Sequence, residues 1–277
     1  MNYVFDGTGP PEFWICGDDV ISNGSFEESL EGWDIDTANL TAQKLESYNT
    51  NYGLYVLAVA GMSPESFGYV SCETSFDEDL QGQQVVVSFS LWSANGATVR
   101  VQVCSETETV VDEVVTAPSQ QKLYALSGTC FAESTNTVTV KFGIAGDEIV
   151  EIDRVQLRKL EQVVTMPLPQ ESIESTYEKE VMASYTMLDG STKEYVLGWR
   201  FVGRIEYIRI SAEQEQARAA LAEAEYMFYF PHNDNDFVVP VVWDKEYARR
   251  YPRNVQIGYE AIIPLRGIEL LTHIPKS

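Results

Sequence analysis

Between residues 19 and 161 apolar side chains recur in short runs, and no stretch carries the three-and-four spacing of an amphipathic helix. The runs fall at 54–60, 68–72, 84–92, 98–104, 109–115, 122–126, 137–144 and 149–157. Val99-Arg100-Val101-Gln102-Val103 alternates apolar with polar, as does the end of Val85-Val86-Val87-Ser88-Phe89-Ser90-Leu91-Trp92. Such alternation puts one face on a core and the other on solvent. Asn95-Gly96 stands between these two runs and predicts a tight hairpin. Asn23-Gly24-Ser25-Phe26-Glu27, followed by Leu30-Glu31-Gly32-Trp33, reads as a first strand, a turn and a large aromatic that needs a core. Its counterpart is Ile152-Asp153-Arg154-Val155-Gln156-Leu157, which closes the strand-rich region. Many short strands with regular turns predict an antiparallel sandwich or jelly roll.

The pattern changes afterwards. Residues 162–176 hold Pro167 and Pro169 and read as an extended linker. From 177 on, alternation over 180–187, a turn at Asp189-Gly190-Ser191 and a run over 193–210 predict a long hairpin. Ser211 and Gln214 have the spacing of a capping box, and an alanine-rich stretch follows. A helix is expected over 212–226, with Ala217, Ala220, Leu221 and Ala224 on its buried stripe. Strands are expected at 226–230, at 237–243 around Pro240, at 255–265 and at 268–271. Residues 1–18 contain Gly7, Gly9, Pro10 and Pro11 among Tyr3, Phe5, Phe13 and Trp14. They read as an N-terminal arm, packed on the nearest domain or docked on a neighbouring subunit.

The opening N-G-S-F-E…G-W, the strand Tyr52-Gly53-Leu54-Tyr55-Val56-Leu57 and the terminal I-D-x-V-x-L resemble the jelly rolls of carbohydrate-binding modules over about 19–161. The resemblance implies two facing sheets whose first and last strands lie together. It also implies calcium, held by Glu27 and Asp153 with carbonyls from Asn23 or Gly24 and from the 48–52 loop; the alternative is two ordinary surface acids. Among Tyr48, Tyr52, Tyr55, Phe67, Tyr69, Trp92 and Tyr124, a sugar-stacking platform is assigned to Tyr52, Tyr69 and Trp92, the rest being core or subunit interface.

Composition narrows the function. Of 277 residues, 42 are acidic and 19 basic, a net charge of -23. This excludes a phosphate-gripping nucleic-acid binder. Most of the acidic excess lies in residues 1–161. Cys16, Cys72, Cys104 and Cys130 match no C-x-x-C pattern and read as free thiols, with one disulfide between adjacent strands left open. There is no basic-plus-apolar secretion signal at the start and no apolar run long enough to span a membrane. His232 within Asn233-Asp234-Asn235-Asp236 is a turn or, failing that, a metal site. Lys245, Arg249, Arg250 and Arg253 form a basic patch, either solvated or docking on an acidic neighbour. With two histidines and no G-x-S-x-G, P-loop or H-E-x-x-H motif, an enzyme is not expected.

Finally, L-G-W-R-F-V-G-R-I-E-Y (197–207), the alanine-rich helix, Y-F-P-H-x-D (229–234) and R-G-I-E-L-L (266–271) resemble small structural proteins of tailed-bacteriophage virions. The combined expectation is a mainly β chain: an N-terminal jelly-roll β-sandwich, then a small α+β domain over 177–277 with one helix on an antiparallel sheet. It would be a virion component of the tail, baseplate or fibre, assembled in the host cytoplasm and repeated in a symmetric ring. Its partners would be other virion proteins and weakly bound host surface glycans, without nucleic acid or a membrane span. A capsid decoration protein, a stand-alone glycan-binding accessory module and an enzyme with an unrecognised carboxylate pair are the alternatives.

Overall fold

A computed structural model describes residues 9–47, 55–63, 66–168, 173–187, 191–207, 210–231, 238–245, 256–257 and 260–271. The chain forms two compact units, Gly17–Glu161 and Met1–Cys16 with Gln162–Ser277. Its strands are β1 (Glu12–Asp19), β2 (Asp34–Ile35), β3 (Leu40–Glu46), β4 (Tyr55–Gly61), β5 (Gly68–Ser75), β6 (Gln84–Trp92), β7 (Thr98–Cys104), β8 (Thr109–Thr116), β9 (Lys122–Ser127), β10 (Thr137–Ile144) and β11 (Val150–Thr165). Then follow β12 (Ile173–Thr186), β13 (Thr192–Tyr207), the helix α1 (Ala212–Glu223), β14 (Met227–Phe230), β15 (Val239–Trp243), β16 (Gln256–Ile257) and β17 (Glu260–Leu271).

The first unit is a β-sandwich. One sheet runs β9-β6-β11-β4-β3, the other β2-β5-β10-β7-β8. Alternate residues of both meet in one core: Leu57 and Val59, Val87, Phe89 and Leu91, Ile152 and Leu157 from the first, Val70, Val99, Val101, Val140 and Phe142 from the second. Period-two alternation in both sheets is what lets this core close. The hairpin expected at Asn95-Gly96 does not form: Gly96 takes a φ of 81° in a turn, but β6 and β7 lie in opposite sheets, so the turn carries the chain from one sheet to the other.

The opening motif and the closing strand do lie together. The Val155 amide donates to the Gly24 carbonyl at 2.9 Å, and Val20 donates to Leu157 at 3.0 Å. A Cβ on Gly24 would sit 1.7 Å from the Val155 carbonyl oxygen, so only glycine admits this approach. The motif is, however, a turn over 22–25 and not a strand. Phe26, fully buried beside Trp33 with ring centroids 5.2 Å apart, follows it at a φ of 55°.

The second unit contains an antiparallel sheet, β12-β13-β17-β15-β14-β1, with α1 packed on it. The expected arm begins a strand at Glu12: Glu12 to Ile15 pair with Phe230 to Met227, and Phe13 stacks on Tyr229 at 5.0 Å. The expected linker is largely strand as well. Residues up to Thr165 continue β11, Val164 and Met166 are buried in the core, and β12 starts at Ile173. Pro167 follows the end of β11, and Pro169 lies outside the described residues. The capping box is formed, with the Gln214 amide 3.2 Å from Ser211 Oγ and the Ser211 amide 2.7 Å from Gln214 Oε1. On α1 the buried residues are Leu221 and, unexpectedly, Arg218, while Ala217, Ala220 and Ala224 are half-buried against the core. Arg218 tolerates burial because Glu215 holds its guanidinium at 2.5 Å over the Trp243 ring.

Candidate functional site

Residues that alternate with the core positions of the β9-β6-β11-β4-β3 sheet lie on its outer face. The register sets Gln43 opposite Ala58, Ala58 opposite Glu151, and Glu151 opposite Trp92, one row across four strands. The adjoining row holds Thr41 and Ala60. The two alanines are small, so the taller Gln43, Leu45 and Ile149 leave a trough over them of about 190 Å³. Leu45 and Ile149 are exposed at 38% and 54%. Glu151 is buried, and its Oε2 accepts from Ser47 Oγ at 2.6 Å. Trp92 is half-buried, and its Nε1 donates to the Ser119 carbonyl at 2.9 Å, which fixes the indole. The trough offers an apolar floor and an amide, and the same row continues to a buried carboxylate and an aromatic edge, which together suit a ligand that is polar at its rim and apolar on its faces. Along the sheet from this row, Asp153 pairs with Ser90; both are fully buried, and Ser90 Oγ has no hydrogen-bond partner.

The expected aromatic platform is not brought together. Tyr69, opposite Gly143, lies on the outer face of the other sheet, where its ring is 6.4 Å from Phe67. Trp92 faces out from the first sheet, so one sugar cannot bridge the two. Tyr52 lies outside the described residues, as does Tyr48. Tyr124 stacks on Phe89 at 5.5 Å and donates to the Thr116 carbonyl, a core role. Sequence reasoning missed Gln43 because β3 was not recognised, although Leu40 and Ala42 alternate inward with Thr41 and Gln43 outward. Nothing in the sequence separates Glu151 from the other acids.

The opening turn does not fit the calcium ion that the resemblance implies. Such an ion takes about six to eight oxygens at roughly 2.3–2.6 Å. Here each of the described residues of the implied set already holds a hydrogen bond, and the 48–52 loop lies outside the described residues. The Asn23 carbonyl accepts from Trp33 Nε1 at 3.1 Å and the Gly24 carbonyl from Val155. Lys44 Nζ donates to the carbonyls of Glu27 at 2.5 Å and Glu28 at 2.9 Å, 4.0 Å from the Tyr55 ring centroid. Glu27 Oε1 accepts the Tyr55 amide at 3.2 Å, and Asp153 Oδ1 accepts the Arg154 amide at 2.7 Å. Among the described residues no three His, Cys, Asp or Glu side chains gather. The Lys44 ammonium occupies the carbonyls of Glu27 and Glu28, and a divalent ion beside it would be repelled.

The remaining candidates are quickly placed. Cys16, Cys72 and Cys104 are buried and Cys130 is exposed, none of them in a disulfide, and burial raises the Cys72 thiol above its ordinary value. His232 to Asp236 and Arg249, Arg250 and Arg253 lie outside the described residues; Lys245 is exposed. Among the described residues no helix is long and apolar enough to cross a membrane.

No family model matches the chain. No curated protein matches it. Solved structures with a similar fold include a family 4 carbohydrate-binding module, 14% identical with a TM-score of 0.39, covering 50% of this chain and 99% of that one. The family 22 xylan-binding domain from Paenibacillus barcinonensis Xyn10C is 19% identical with a TM-score of 0.39, over 53% of this chain and 98% of that one. The enzymatically active domain of bacteriophage CBA120 tailspike protein 4 is 12% identical with a TM-score of 0.41, over 51% of this chain and 21% of that one. At these identities the likeness is one of fold alone.

Proposed function

We propose that the chain is a non-catalytic component of a tailed-phage virion whose β-sandwich holds a saccharide on the outer face of its β9-β6-β11-β4-β3 sheet. The observation that carries the saccharide reading is the Gln43-Ala58-Glu151-Trp92 row with its trough over two alanines. The indole offers an apolar face to a pyranose ring, while Gln43 and Glu151 offer hydrogen bonds to its hydroxyls. Support for the virion setting is the order of elements in the second unit. A long hairpin, a helix, the paired β14 and β15, and a final strand follow one another as the sequence resemblance implies. In this reading the second unit anchors the chain among repeated copies.

A glycan array, followed by calorimetric titration of the full chain with the best saccharide, tests the site. Trp92→Ala and Gln43→Ala should each weaken binding roughly tenfold, about 1.4 kcal/mol. An array without hits, or binding that ignores both substitutions, removes the reading. Mass spectrometry of purified particles tests the virion setting independently.

A further inference from the structure

The β12–β13 hairpin outruns the sheet that supports it. β17 accompanies β13 from Tyr207 to Trp199, opposite Ala261 to Leu271. Beyond that, over Thr192–Gly198, β13 has β12 for its only neighbour among the described residues. β12 is the edge of the sheet over its 14 residues. A two-stranded ribbon is marginal in water, and a long open edge invites another strand. This ribbon also exposes apolar side chains: Val181 at 38%, Met182 at 74%, Met187 at 42%, Val196 at 41% and Leu197 at 53%. The ladder shifts between Glu180 and Val181 and again before Ala183, leaving Met182 and Leu197 outside the paired register. Two irregularities thus fall at the two most exposed apolar residues, which suits a contact surface better than a solvated face.

Charge selects the occupant. Along the ribbon Lys179, Lys193 and Arg200 balance Glu178, Glu180 and Glu194, in a chain of 42 acidic and 19 basic residues. Elsewhere self-association would press acid against acid; here it does not. A two-fold contact places a surface against itself. Antiparallel pairing of β12 with its own copy, fully overlapped, centres between Lys179 and Glu180 and sets each opposite the other. The same register sets Tyr177 opposite Met182 and puts no like charges face to face. We propose that the β12 edge and the apolar end of its hairpin form a two-fold contact with a second copy of this chain. The edge charges admit that partner and repel one lacking the complementary pattern.

Light scattering of the full chain across a concentration series, with native mass spectrometry, tests this. The wild type should be a dimer or a larger even-numbered assembly. Met182→Lys and Lys179→Glu should each raise the dissociation constant at least roughly tenfold. Both side chains are well exposed, and an unchanged circular-dichroism spectrum and melting temperature show that the fold survives. A monomeric wild type overturns the proposal and leaves the hairpin to a different protein. An assembly that ignores both substitutions overturns it as well.

Discussion

Lys44 brings a positive charge to a turn whose two carbonyls point at it, so replacing it with methionine keeps the apolar stem and removes only the ammonium. Two carbonyls lose their donor, and Lys44→Met should cost about 1–3 kcal/mol in thermal or urea denaturation. A chelator should leave the wild-type melting temperature unchanged; a drop would show that a metal holds the turn after all. Asp19 tests the junction from the other side. Burial raises its carboxyl above the ordinary 3.8, against hydrogen bonds from the Ile21 and Leu157 amides and the charges of Arg158 and Arg154. A raised carboxyl contributes stability that is fully present below the unfolded value and lost as pH rises through the folded one. Asp19→Asn keeps an acceptor oxygen, so it should melt higher than wild type at neutral pH and converge with it in acid. In the second core, the buried Tyr207 and Tyr229 hydroxyls have no hydrogen-bond partner among the described residues, and burial drives both phenols far above their ordinary range. Tyr229→Phe removes an unsatisfied group at nearly constant shape, and denaturation should find it neutral or more stable by about 1 kcal/mol.

At the level of elements, the start of α1 was legible, while its end at Glu223 rather than 226 and the burial of Arg218 were not. Its cap is a local matter of two side chains three residues apart, and both bonds form. Ser211→Ala should cost about 1 kcal/mol in the same denaturation experiment. The strands 84–92, 98–104 and 137–144 were legible to within a residue because their alternation is strong. β3 was not, since Leu40-Thr41-Ala42-Gln43 carries only small or polar residues around one leucine. The 162–176 stretch was misread for the opposite reason. Val164 and Met166, close to two prolines in sequence, bury themselves in a core built from distant strands. The site suffered most: Gln43 and Trp92 are far apart in sequence, and only the pairing of β3, β4, β11 and β6 sets them in one row with Glu151.

For the molecule as a whole, the acidic excess should make stability depend on pH in a way its arginines govern. Asp112 is held below its ordinary 3.8 by Arg100, and Glu180 and Glu215 below their ordinary 4.5 by Arg200 and Arg218. Depressed carboxyls contribute stability above their unfolded values and lose it as pH falls through the folded ones. Melting temperature should therefore fall below about pH 4, and Glu180→Gln with Glu215→Gln should flatten that fall. The contribution is modest because these pairs are partly solvated. By itself the sequence determined what depends on neighbours along the chain: the period-two strands, the Asn95-Gly96 turn, the capped helix and the change of character after residue 161. Tertiary structure alone decided which strands pair, and hence which face each side chain shares. That choice set Lys44 on the carbonyls of Glu27 and Glu28, separated Tyr69 from Trp92, and put Glu151 in one row with Gln43. Strand pairing is fixed by the burial of both sheets' inner faces at once, a property no single segment carries.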